Sequence, residues 1–161
     1  MFNMPSFARD LKRGEEPLVD DLIAAAFGST DEVMLVHKLR KSGLIAGEQV
    51  MPMGDQIVGY YALSYMIKPK GWLCLAPVAI APDVQRRGYG KRMMGMLTEW
   101  ARLTGTPIVV LGPQEFYGKT GFSHDAAAKL RGPYPQEHLA LAGVTGVPEQ
   151  ALVYPTAFGG A

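Results

Sequence analysis

The sequence predicts an α/β domain, a mixed sheet with helices on its faces, and three observations carry that expectation. Apolar runs of strand type and runs of helical spacing interleave along the chain. A strand, a glycine-rich turn, a helix and a second strand follow one another from WLCLAPVAIA to PIVVLG (72–112), the layout of a right-handed parallel crossover. Finally, 161 residues with 48% hydrophobic and 19% charged side chains suffice for one packed core, so a single domain over 1–161 is expected.

The elements follow in chain order. SFARDLK (6–12) reads as a first strand. Pro17 opens a helix, PLVDDLIAAAF, where its missing N–H is harmless, and Gly28 closes it. Thr30 suits the N-cap of DEVMLVHKLRKS. Asp31 and Glu32 lie in its first turn, basic residues towards its end, and Gly43 stops it. EQVMPM and DQIVGYYALSYMI flank Gly54-Asp55 as a hairpin, and WLCLAPVAIA continues the meander. After the glycine turn, Met93, Leu97, Trp100 and Ala101 recur at helical spacing, with Arg92, Glu99 and Arg102 opposite and Gly105 as the stop. PIVVLG is the all-apolar pattern of a strand covered on both faces. A short helix through QEFYGK follows, then late strands in LRGPY, HLALAGV and ALVYPTAF.

A net charge of +1 excludes a chain that binds nucleic acid or membranes by bulk charge, so any attraction for anions is local. The N-terminal residues hold no apolar run of signal-peptide length, and no stretch reaches the roughly 18 apolar residues of a membrane helix. Cys74, the only cysteine, forms no internal disulfide and reads as a buried strand residue; a reducing, cytoplasmic location is expected. The histidines (37, 124 and 138) form no metal-ligand spacing, and Met93, Met94 and Met96 read as core filler.

The chemistry concentrates in APVAIAPDVQRRGYGKRMMGML (76–97). A strand followed by Gln85, Arg86, Arg87, Gly88, Tyr89, Gly90 and Lys91 brings unpaired backbone N–H groups and the positive dipole end of a helix to one place. Glycines at 88 and 90 allow a tight turn and close approach of a ligand, and the arginines and lysine add local positive charge. A diphosphate is the matching guest. A Walker loop is excluded because Gln85 and Arg92 stand where it requires Gly and Ser or Thr. A dinucleotide fingerprint fails because Met93 replaces its third glycine.

VAIAPDVQRRGYGK resembles the acetyl-CoA signature Q/R-x-x-G-x-G/A of the GNAT superfamily of N-acetyltransferases, filled here by residues 85–90. Downstream, VVLGPQEFYGKTGF is similar to the strand and short helix carrying Tyr-x-x-x-Gly-Phe in that superfamily, with Tyr117, Gly121 and Phe122 in place. LRGPYPQEHLALAG and LVYPTAF are similar to the C-terminal portion of its YhbS-like branch. The resemblance therefore spans about residues 6–158 and is strongest over 75–122.

The resemblance implies a central mixed, mostly antiparallel sheet that splays between strands 4 and 5, with helices on both faces. It implies acetyl-CoA as co-substrate, no metal, and transfer of acetyl to a primary amine of a small molecule or peptide. The pantetheine arm would lie along Val78, Ala79 and Ile80, bonded through main-chain groups as an added strand. The turn with Lys91 would hold the diphosphate, and the Val78 N–H or a neighbour would face the developing oxyanion, a donor worth about 3–4 kcal/mol in hydrolases. Tyr117 matches the family's general acid, which protonates the leaving thiolate. No motif fixes a base: Glu32, Glu137, His37, His124 and His138 are the candidates. A non-catalytic acyl-CoA-binding or sensing module is the competing reading. The acceptor is set in this superfamily by the first two helices and late loops, here about 17–45 and 123–150. Exposed late strands admit a homodimer.

Overall fold

The computed structural model describes residues 8–159; residues 6 and 7 of the expected first strand lie outside them. The chain forms two compact units: residues up to Leu63 with Ala76–Gly90, and Ser64–Leu75 with the residues from Lys91 onward.

In the first unit, β1 (Arg9–Asp10) pairs antiparallel with β2 (Ile45–Met53), and β3 (Gln56–Tyr65) and β4 (Leu73–Ile80) follow in the sheet. Helix α1 (Glu16–Phe27) carries Pro at its start and ends on Gly28, whose left-handed φ of 70° lets its N–H reach Ala24 O at 2.8 Å. Helix α2 (Asp31–Lys41) starts after Thr30, but the Thr30 side chain makes no cap. Ser29 Oγ accepts the Asp31 N–H at 3.4 Å instead, one residue earlier than expected. Val19, Leu22 and Ile23 of α1 and Val36 of α2 close over Val50, Ile57, Tyr60, Ala62 and Ala79 of the strands. Burying these side chains supplies most of the unit's stability. At the edge of that core, Glu48 accepts from Arg40 Nη2 at 2.8 Å and from Tyr60 Oη at 2.6 Å. One carboxylate so ties α2, β2 and β3 together.

In the second unit, β5 (Ile108–Leu111) pairs parallel with β4 from Leu73↔Ile108 to Leu75↔Val110, the crossover that the sequence predicts. The pairing ends there, and β4 runs on to Ile80 without β5, so the two strands splay. The antiparallel strand β7 (Leu139–Ala142) covers the other edge of β5. The expected late strands are shorter than drawn. β6 (Leu130–Arg131) and β8 (Gln150–Ala151) make a separate parallel pair, and Val153 only bridges to Lys68. Helix α3 (Tyr89–Thr104) buries Met93, Met94, Leu97, Thr98 and Ala101. Trp100, expected on that apolar face, is 43% exposed, because the buried stripe runs through Met94 and Thr98 rather than through position 100. The short helix α4 (Gln114–Tyr117) follows β5. The core of this unit gathers Met66, Trp72, Cys74, Val109, Leu130, Leu139, Leu141 and Leu152.

Candidate functional site

Strand β4 alternates at its outer end. Ala79 is buried against α1 and its neighbours, whereas Val78 and Ile80 are half-exposed on the opposite face. A strand with one face in the core thus keeps two side chains and the backbone between them at a surface. Pro77 within the strand has no N–H to give, which limits how regularly β4 can be paired.

After Ile80 the chain enters a single 3-10 turn, Pro82–Val84. It is held by Ala81 N–H to Val58 O at 2.8 Å and by the buried Val84. Gln85 is extended, and its side-chain Nε2 donates to Ile80 O at 2.9 Å, folding the turn back on the strand end. The Gln85 side chain is therefore a brace of the turn. Arg86 has φ 67°, the only non-glycine residue with positive φ among those described, and Gly88 has φ 83°. A left-handed arginine costs about 1–2 kcal/mol, and such strain clusters at ligand sites. Alternating left-handed residues just before a helix turn successive N–H groups towards one concavity, the arrangement that receives phosphates. Helix α3 begins at Tyr89, so its unpaired first-turn donors add to the same face. A Cβ built on Gly88 meets nothing within 4 Å, so glycine serves conformation there and leaves the space open. Arg86, Arg87 and Lys91 are exposed, and Tyr89 and Gly90 are half-buried. The fold thus places Val78–Ile80 and Gln85–Gly90 in one unit, with Lys91 following Gly90 in the first turn of α3.

Tyr117 lies in the second unit, at the end of α4. It is 8% exposed, and its ring stacks edge-on against Phe116 at 4.9 Å and Phe122 at 5.6 Å. Gly112 makes room for it, since a Cβ there would stand 2.3 Å from Tyr117 Cε2. Burial pushes the phenol up to about 12, so it keeps its proton through the physiological range. The Tyr-x-x-x-Gly-Phe spacing has a packing reason here. Thr120 Oγ1 bonds Tyr117 O at 2.8 Å, Gly121 takes φ 108° against the Thr98 side chain, and Phe122 returns to the Tyr117 ring.

The candidate bases are scattered. Glu32 is bound by Ser29 Oγ at 3.3 Å on α2, and His37 Nε2 lies 2.9 Å from Asp20 Oδ2. Glu137 and His138 face each other at 3.7 Å on an exposed turn of the second unit. Both ring nitrogens of His124 are sealed from solvent without a hydrogen-bond partner. Burial pushes the Cys74 thiol up to about 12, which makes it an inert core residue. Sequence reasoning missed the Arg40–Glu48–Tyr60 cluster, whose members sit on three elements with no common spacing. Among the described residues, no three His, Cys, Asp or Glu side chains gather to hold a metal ion, and no helix is long and apolar enough to cross a membrane.

A family model for the acetyltransferase (GNAT) domain matches residues 42–124, more than half of the chain. Among solved structures, the chain is similar to the GNAT family N-acetyltransferase YhbS from Escherichia coli in complex with CoA. The identity is 23% and the TM-score 0.85, over 99% of this chain and 94% of that one. It is also similar to a GNAT family acetyltransferase from Brucella melitensis in complex with acetyl-CoA, at 22% identity and TM-score 0.80, over 98% and 99% of the two chains. No curated protein matches the sequence.

Proposed function

The chain belongs to the acetyltransferase (GNAT) family, and from that premise we propose that it transfers an acetyl group from acetyl-CoA to a primary amine by direct attack on the thioester. The observation that carries this reading is the backbone of the turn, left-handed at Arg86 and Gly88 at the head of a 16-residue helix. That shape suits a diphosphate. The two compact units are read as one acetyltransferase domain, since β3, β4 and α3 each run through both.

Acetyl-CoA supplies an activated acyl thioester. Residues 85–90 and Lys91 would hold its diphosphate, through main-chain N–H groups and the exposed cations of Arg86, Arg87 and Lys91. Val78, Ala79 and Ile80 would carry the pantetheine arm along the half of β4 that β5 leaves unpaired. The Val78 N–H or its neighbour would meet the negative charge growing on the carbonyl oxygen. The amine nitrogen bonds to the acetyl carbon, the carbon–sulfur bond breaks, and Tyr117 would donate its hydroxyl proton to the departing sulfur. A proton from the new amide nitrogen, released through solvent, restores the phenol. With the phenol pushed up to about 12 and an ordinary thiol at about 8.5, Tyr117 holds its proton more tightly than the sulfur does, so it would hydrogen-bond the growing thiolate and pass the proton across only together with its own reprotonation by the proton that the amide nitrogen releases. The buried, unpaired Cys74 supports work in a reducing compartment such as the cytoplasm.

Calorimetric titration with acetyl-CoA, followed by a thiol-release screen across amine classes, tests the proposal. Binding with release of free CoA on addition of an amine is expected. Absence of acetyl-CoA binding would overturn it.

A further inference from the structure

Helix α4 is a single turn of four residues, too short to hold a side chain in place by its own hydrogen bonds. Tyr117 closes it, and the Tyr117 carbonyl is one of the orphan acceptors that a helix leaves at its carboxyl end. Thr120 answers that carbonyl twice, donating from its N–H at 3.0 Å and from its Oγ1 at 2.8 Å. The backbone that carries the phenol is thereby tied to residue 120. What holds residue 120 lies on another element.

Thr98 sits midway along α3, 8% exposed, on the face that the helix buries. Threonine is a weak helix former, and a buried hydroxyl needs a partner. A helical threonine ordinarily returns its proton to a carbonyl three or four residues back, and Gly95 O is within reach at 3.1 Å. Thr120 O stands closer, at 2.5 Å. A carbonyl has no proton to give, so the hydrogen between them is the threonine's. Thr120 is itself buried; its carbonyl accepts from Thr98 and its hydroxyl donates to Tyr117 O. The two hydroxyls act in series, from α3 to the turn and from the turn to Tyr117.

The neighbouring residues fit the same purpose. Gly121 has φ 108°, and a Cβ there would stand 2.4 Å from Thr98 Oγ1. Glycine at 121 is thus what lets the turn come down on the Thr98 hydroxyl. Phe122 then meets the Tyr117 ring edge-on at 5.6 Å. Backbone and ring of Tyr117 are held from one short turn, and Thr98 ties that turn to a long helix.

We propose that Thr98 is a positioning residue for the phenol of Tyr117, acting through Thr120. This deepens the acetyltransferase reading above and rests on it. The phenol oxygen lies at the far end of its side chain, so a small tilt of the backbone at 117 is magnified there. A misplacement of about 1 Å is enough to lower a rate by about 10²-fold. The proposed acetyl-CoA contacts lie at 78–80 and 85–91, so affinity for the co-substrate should not follow.

Thr98→Val keeps the shape and removes the proton, whereas Thr98→Ser keeps the hydroxyl. With the best amine of the thiol-release screen, Thr98→Val should lower kcat by about 10–10²-fold. KM for acetyl-CoA should stay within about twofold, and Thr98→Ser should recover most of the rate. A double-mutant cycle separates positioning from stability. In the Tyr117→Phe background Thr98→Val should slow turnover no further, because the group it places is gone. Unchanged kcat in Thr98→Val, a serine variant as slow as the valine one, or an equal loss in both backgrounds overturns the proposal. Thr120→Val removes the second hydroxyl, leaves α3 intact and carries the same expectations where Thr98→Val does not fold. Failure of both to fold would assign the hydroxyls to stability and overturn it too. Carbon-13 magnetic resonance of Cζ-labelled tyrosine, with the Tyr117 signal assigned by its loss in Tyr117→Phe, reads position without turnover. That signal should move in Thr98→Val and stay in Thr98→Ser. A signal unmoved by valine, or moved equally by serine, overturns the proposal. If the wild type releases no CoA with any amine, the acetyltransferase reading falls, and this signal alone decides whether Thr98 places the ring.

Discussion

The turn at 85–90 and the pocket of Tyr117 are both short motifs marked by glycine, yet their surroundings are opposite. At the turn Gln85, Arg86 and Arg87 are exposed, Gly88 faces open space, and the backbone is left accessible. At Tyr117 the ring is enclosed by Phe116 and Phe122, and Gly112 is glycine because a methyl group would enter that ring. One glycine serves φ and the other serves volume. On the proposed function, a large anion is met by donors left unpaired, whereas a single proton is placed by packing.

The contrast can be broken by substitution. Tyr117→Phe keeps the packing and removes the proton, so turnover should fall by about 10²–10⁴-fold while calorimetric affinity for acetyl-CoA is retained. Full turnover in this variant would return the chain to other proton donors, and no turnover in the wild type would favour the non-catalytic CoA-binding reading. Gly112→Ala should displace the ring and destabilise the fold by about 1–3 kcal/mol, read by thermal unfolding, with turnover lost in parallel. Gly88→Ala has space but the wrong φ. It should cost about 1–2 kcal/mol and weaken acetyl-CoA binding more than it lowers the melting temperature. Arg86→Glu with Arg87→Glu should weaken acetyl-CoA binding and flatten its salt dependence, leaving stability nearly unchanged.

A pH profile gives the mildest test. Because burial pushes the Tyr117 phenol up to about 12, its proton stays in place well above neutrality. Activity should rise from pH 6 to 9 as the acceptor amine loses its proton, with no falling limb from Tyr117 below about pH 10. The stability contribution has the matching sign. The folded phenol holds its proton more tightly than the unfolded one, so that contribution is complete below about 10 and lost as pH climbs through 12.

Much of this was legible along the chain because its causes are local. Pro17, Gly28, Gly43 and Gly105 punctuate the helices through φ and missing donors, and the structure places the helix ends beside them. The turn was legible for the same reason. What lay hidden depends on other elements. Trp100 fits a helical stripe, but the face of α3 that packs is decided by its neighbours. Gln85 stands in a ligand motif, yet its side chain braces Ile80. The Glu48 hub joins residues 40, 48 and 60 through folding alone. The enclosure of Tyr117 by Gly112 and Phe122 shows only once the chain has returned on itself.

The end of the β4–β5 pairing at Leu75 also has a cost. From Ala76 to Ile80 the strand presents apolar residues along an edge that β5 does not cover, the kind of template on which another chain could lay a strand and begin to aggregate. Pro77 interrupts that edge near its start. Without an N–H it denies an incoming strand a regular ladder, so the residue that loosens β4 also guards it.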